Sequence, residues 1–101
     1  MKVGAITDRL TKVGRVVTFT CELLEGDDVA FTWSFDGVVL REAGRVHIAT
    51  TPFSSTLTLH GVQTKDRGRY TCTGSNSVSE ERTSANLSVE GEEHAHLRDI
   101  M

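Results

Sequence analysis

Two cysteines, Cys21 and Cys72, constrain this chain more than any other feature. Each lies in a stretch that alternates apolar and polar residues. Val17, Phe19, Cys21 and Leu23 share one side of the first stretch, and Tyr70 and Cys72 share one side of the second. Period-two alternation marks a half-buried strand, so both thiols point toward an interior. Their separation of 51 positions is too wide for a redox motif, and two thiols without two histidines at ligand spacing cannot build a zinc site. A structural disulfide is the simplest reading. Closing a loop of that size stabilises a small domain by roughly 4 kcal/mol in the chain-entropy model, comparable to its whole net stability. The alternative is a pair of buried free thiols in a cytosolic relative of the same fold. The first residues lack the apolar core of a secretion signal, so the compartment has to be argued from these cysteines.

The same alternation recurs along the chain. Phe31, Trp33 and Phe35 share a face and run into Asp36-Gly37, a dipeptide that tolerates positive φ in a tight hairpin, with a short partner strand expected over Val38 to Arg41. Val46 and Ile48 alternate with Arg45, His47 and Ala49; Leu57 and Leu59 alternate with Thr56, Thr58 and His60; Ala85, Leu87 and Val89 close the series. Turn signals fall at Gly26 to Asp28, Gly44, Pro52, Asp66 to Gly68 and Gly74 to Asn76. No stretch carries a helical stripe. With 101 residues there is room for one core, and seven or eight strands at intervals of about ten residues make an all-β antiparallel sandwich or small barrel. The inward cysteines favour the sandwich, because a bond between them has to cross from one sheet to the other. Trp33, twelve positions after Cys21, can pack against that bond. Tyr70, two before Cys72, faces inward with its hydroxyl reaching back to the backbone at the corner before its strand.

These residues resemble an immunoglobulin domain over residues 3 to 90. The signature is Cys21, Trp33, Leu57-Thr58-Leu59 and Asp66-Arg67-Gly68-Arg69-Tyr70-Thr71-Cys72. The resemblance implies an ion pair between Arg45 and Asp66 beneath the sandwich. Only about seven residues separate the hairpin from Arg45, which leaves no space for the extra central strands of an antibody variable domain. The chain is therefore similar to the intermediate, or I-set, subtype, whose sheets are A-B-E-D and A′-G-F-C-C′ and which recurs in neural adhesion receptors and giant muscle proteins. Within that set, Cys21 to Asp27, Phe31 to Gly37 and Tyr70 to Asn76 look most like Dscam-type (Down syndrome cell adhesion molecule-like) receptors. Ser77-Val78 after Asn76 departs from the glycine-containing turn common in relatives. Residues 1–90 are expected to form the domain, and 91–101 a flexible linker or added tail.

No catalytic constellation is present: no phosphate-binding glycine loop, no G-x-S-x-G elbow and no H-E-x-x-H. No enzymatic activity, cofactor or small-molecule substrate is expected. His94 and His96 form at most a weak metal pair. A net charge of −3 argues against nucleic acid and anionic lipid as partners. The longest apolar runs are three residues, against the roughly twenty of a membrane-spanning helix, so any membrane association is expected only through a parent receptor. Asn86-Leu87-Ser88 is an acceptor sequon for an N-linked glycan, with Asn86 outward because Leu87 is inward.

Function is therefore expected in a surface. The outward face of the A-B-E-D sheet would carry Thr18, Thr20, Arg45, His47, Thr56 and Thr58, a set of mostly small side chains with one full charge. Weakly charged faces lose little on desolvation and suit close sheet-to-sheet packing, although threonine also favours strands for its own sake. The Dscam resemblance implies antiparallel self-association through a sheet face, with another copy of the chain as partner, in an extracellular, membrane-anchored parent. A two-fold contact of that kind needs a self-complementary patch. Phe53, after Pro52, is expected either at the edge of that patch or tucked into the core. The alternatives are a structural link in an intracellular filament protein and a heterophilic guidance or immune module.

Overall fold

The computed structural model describes residues 1–91. Nine strands fill it: β1 (Lys2–Val3), β2 (Arg9–Lys12), β3 (Val17–Glu25), β4 (Ala30–Phe35), β5 (Val38–Val39), β6 (Val46–Thr51), β7 (Ser54–Leu59), β8 (Gly68–Ser75) and β9 (Glu80–Glu90). One 3₁₀ turn spans Thr64–Asp66. Two sheets result, ordered β1-β3-β7-β6 and β2-β9-β8-β4-β5. They are the A-B-E-D and A′-G-F-C-C′ sheets that the resemblance implies. The first strand is split between them. β1 pairs antiparallel with β3, and the chain then crosses so that β2 pairs parallel with β9.

Burial follows the period-two pattern. Val17, Phe19 and Cys21 of β3, Leu57 and Leu59 of β7, Tyr70 and Cys72 of β8, and Ala85, Leu87 and Val89 of β9 are all buried, joined by Val62 from the loop after β7. Cys21 is bonded to Cys72 and ties β3 of one sheet to β8 of the other. Cys21 sits opposite Ser55 in its sheet, and Cys72 sits opposite Trp33 in its own. Trp33 therefore lies beside the bond, and its indole Nε1 donates to Ser55 Oγ at 2.8 Å. A polar stitch between sheets thus runs alongside the covalent one.

The corner beneath the sandwich is equally specific. Tyr70 stacks on Phe19 with ring centroids 5.4 Å apart, and its hydroxyl donates to the Asp66 carbonyl at 2.7 Å. The Asp36-Gly37 hairpin has both residues at positive φ (48° and 87°), as a two-residue turn between right-twisted strands requires. Two details differ from the sequence reading. The partner strand stops at Val39, although the Leu40 N–H still donates to the Trp33 carbonyl at 2.9 Å. Gly74 lies inside β8 and is not a turn residue: a Cβ there would come within 3.1 Å of Val3 and 3.2 Å of Val29, so the glycine admits close packing of the first strand. The turn itself is made by Asn76, whose Oδ1 accepts from the N–H groups of Val78 and Ser79. The Asn76 side chain thus closes the turn without a glycine.

Candidate functional site

The outward face of the four-stranded sheet is built by register. Thr18, Thr58 and His47 stand in one row across β3, β7 and β6; Thr20, Thr56 and Ala49 form the next; Glu22, Ser54 and Thr51 form a third. The Thr18 and Thr58 hydroxyls lie 3.4 Å apart. In these three rows Glu22 is the one carboxylate and no lysine or arginine occurs. Beyond the rows, Leu24 and Phe53 are exposed at one end and Val16 at the other. Phe53 is 72% exposed and not tucked into the core; it is carried by a turn whose carbonyl accepts the Leu23 N–H at 2.8 Å.

Arg45 is placed apart from this face. Its guanidinium grips both carboxylate oxygens of Asp66, at 2.8 and 3.2 Å, and also donates to the carbonyls of His60 and Gly61. The side chains are 35% and 14% exposed, which makes the pair partly buried. The hydrogen bond to Asp66 raises the Arg45 pKa against the opposing effect of burial. Burial by itself would raise the pKa of Asp66, but the hydrogen bonds from Arg45 and from the Gln63 N–H, together with the charges of Arg45 and Lys65, hold the carboxyl below its ordinary range. Burial, reinforced by the charges of Asp66 and Asp36, pushes the Tyr70 phenol well up. Asp66 thus ties Arg45, the 3₁₀ turn and the Tyr70 hydroxyl into one corner that fixes the start of β8.

The sequence reading missed the outward face of the other sheet, where Thr32, Ser34, Thr71, Thr73 and Ser84 floor an open groove flanked by Arg82. The signal was available, since each of these residues has the opposite parity to the buried members of its strand. Asn86 is exposed on this same sheet, opposite Arg69, while Leu87 is buried. The two sequence features of interest, the threonine rows and the sequon, therefore occupy opposite sides of the molecule. Among the described residues no group of three or more His, Cys, Asp and Glu side chains gathers as a metal centre. His94 and His96 lie outside the described residues.

The family model for the immunoglobulin I-set domain matches residues 3–89. The chain belongs to the immunoglobulin I-set family. Among curated relatives of this I-set domain, the peroxidasin homolog of Mus musculus is 36% identical over 83 residues, covering 82% of the chain and 5% of that protein. Leucine-rich repeats and immunoglobulin-like domains protein 1 of Homo sapiens is 33% identical over 84 residues, 83% of the chain and 8% of that protein. The chain thus spans under a tenth of the length of these relatives. A solved titin fragment, I67–I69 of the I-band, superposes with a TM-score of 0.81 at 28% identity, covering 86% of the chain and 31% of the fragment. The titin M1 domain superposes at 0.84 and 24% identity over 89% of the chain and 94% of that domain, a likeness of fold. These matches establish the I-set domain and not the narrower Dscam type.

Proposed function

We propose that this I-set domain is a non-catalytic recognition module of an extracellular, Dscam-like adhesion receptor, pairing antiparallel with a second copy through the outward face of the β1-β3-β7-β6 sheet. The observation that carries the reading is the three rows of mostly small hydroxyl and methyl groups, with His47 their one ring, Glu22 their one carboxylate and Arg45 withdrawn to Asp66. Such a face gives up little hydration when covered. Under two-fold antiparallel pairing, Leu24 and Phe53 of one copy meet the Val16 end of the other, which makes the patch self-complementary.

The size of the face sets the strength. Nine residues from Val16 to Leu24 extend about 30 Å, and three strands are about 14 Å wide, giving on the order of 400 Å² per partner. That is roughly half a standard interface. Pairing is therefore weak for one domain and gains through many copies on opposed surfaces. The disulfide supports an oxidising compartment. A glycan on Asn86 would stand on the opposite sheet and leave this face clear.

Sedimentation at high micromolar concentration tests the reading. A concentration-dependent dimer is expected, and Thr18→Glu or Thr56→Glu should return it to monomer without loss of folding by facing like charges across the two-fold. A strict monomer, or dimerisation indifferent to both substitutions, overturns it. The likeness to titin I67–I69 supports a second reading, a structural link in an intracellular filament. Mass measurement after alkylation of protein from its native source separates the two: intact Cys21–Cys72 favours the receptor and two free thiols favour the filament.

A further inference from the structure

His47, in β6, and His60, in the bend directly after β7, meet on the outer surface. His47 stands opposite Thr58, while the His60 N–H bonds to the Arg45 carbonyl at 2.9 Å, which places the two histidines diagonally on one face. Both are exposed, and their ring centroids are 5.0 Å apart with the planes at 83°. Two imidazoles bound to one metal at about 2.0–2.1 Å per nitrogen, with a near-tetrahedral or right angle between them, hold their centroids about 5 Å apart. We propose that His47 and His60 form a two-point binding site for a divalent transition-metal cation, Zn²⁺ or Cu²⁺, with solvent supplying the remaining ligands.

Three features favour this reading over a mere edge-to-face ring contact. The β6–β7 ladder fixes the Cα of His47, and the His60 N–H bond to the Arg45 carbonyl holds His60 one residue beyond its end, so the backbone at both residues is already ordered. The rings must turn to aim one nitrogen each at a common point, and that terminal torsion is broad and cheap for an exposed histidine. Arg45, whose carbonyl accepts the His60 N–H, is already neutralised by its two-pronged contact with Asp66 and so opposes a bound metal little. With no third His, Cys, Asp or Glu among the described residues to complete the shell, the site is weak and exchangeable, and preference follows the general order in which Cu²⁺ exceeds Zn²⁺. It belongs to the unpaired chain: His47 stands in the first row of the face proposed for self-association, so pairing would cover the site, and the two are tested at different protein concentrations.

The full chain titrated with Zn²⁺ alone, followed by the imidazole NMR signals of its four histidines, tests this. The signals of His47 and His60 should move together and saturate at one ion per chain. His47→Asn and His60→Asn, both surface changes that leave unfolding midpoints unaltered, should each shift the response of the remaining ring to higher Zn²⁺ concentration. The affinity at this site should fall by about tenfold or more, because the second imidazole acts at millimolar or higher effective concentration. Independent responses of the two rings, an unchanged His60 response in His47→Asn, or movement confined to His94 and His96 would overturn the proposal.

Discussion

Replacing Ser55 by alanine tests the polar stitch that lies beside the disulfide. Ser55 is fully buried, Trp33 is 1% exposed, and the indole N–H has the serine hydroxyl as its partner at 2.8 Å. Ser55→Ala strands that donor in the interior, where an unsatisfied group costs about 1–3 kcal/mol. The other partner, Thr50 Oγ1 at 2.9 Å, belongs to an exposed residue and can turn to water, so it adds little. A destabilisation of about 2 kcal/mol is expected. In a domain of this size that lowers the melting temperature by roughly 10 °C. Urea unfolding with the disulfide intact measures it as a shifted midpoint with unchanged slope. Trp33→Phe removes the donor, so Ser55→Ala made in that background should cost under about 0.5 kcal/mol, a coupling of at least about 1 kcal/mol between the two sites. A cost below about 0.5 kcal/mol in the wild-type background, or additive effects, would show that the hydrogen bond does not support the interior as argued.

Other outcomes follow from the same geometry. Asp66→Asn should cost about 1 kcal/mol at neutral pH, discounted for the partial exposure of Arg45. Because the folded-state pKa of Asp66 is depressed, that stabilisation is present above about pH 4 and lost as pH falls through the folded value, so acid urea titrations of wild type and variant should converge. The Tyr70 phenol is shifted the other way, so the folded state keeps its proton and loses relative stability as pH rises past about 10. As this is the chain's one tyrosine, tyrosinate absorbance in alkali should appear together with unfolding and not before it. Gly68→Ala should destabilise by about 1–3 kcal/mol in thermal melts: its φ is +153°, and a Cβ would come within 2.6 Å of the Phe35 ring and 2.7 Å of the Asp36 carboxylate. Removing the disulfide by paired Cys21→Ala and Cys72→Ala substitutions should cost about 4 kcal/mol, read as loss of most of the unfolding free energy.

Much of this fold is legible in the chain because a sandwich strand repeats at a period of two, so parity alone sorts Val17, Phe19 and Cys21 from Thr18 and Thr20. The aromatic and cysteine positions carry packing roles strict enough to be recognised one by one. Parity also places Ser55 inward, in step with Leu57 and Leu59, yet hydropathy reads a serine as solvent-facing; only the partner indole from the other sheet makes its burial favourable. Arg45 shows a different limit. Its place beside β6 suits both a surface patch and an ion pair, and one guanidinium cannot serve both, so the competition is decided by the location of Asp66 in three dimensions. The Arg82-flanked groove and the His47–His60 contact depend on which strands become neighbours, information spread over residues far apart in the chain.

The parallel pairing of β2 with β9 bears on how the domain would carry tension. Arg9 aligns with Leu87 and Lys12 with Glu90, so the chain enters β2 at one end of this ladder and leaves β9 at the other. A pull on both ends, once the two-residue β1 has peeled from β3, loads these rungs side by side in shear, not in succession as in unzipping. An adhesive link or a filament segment assembled from such units would hold its shape under stretch until the whole ladder gave way at once.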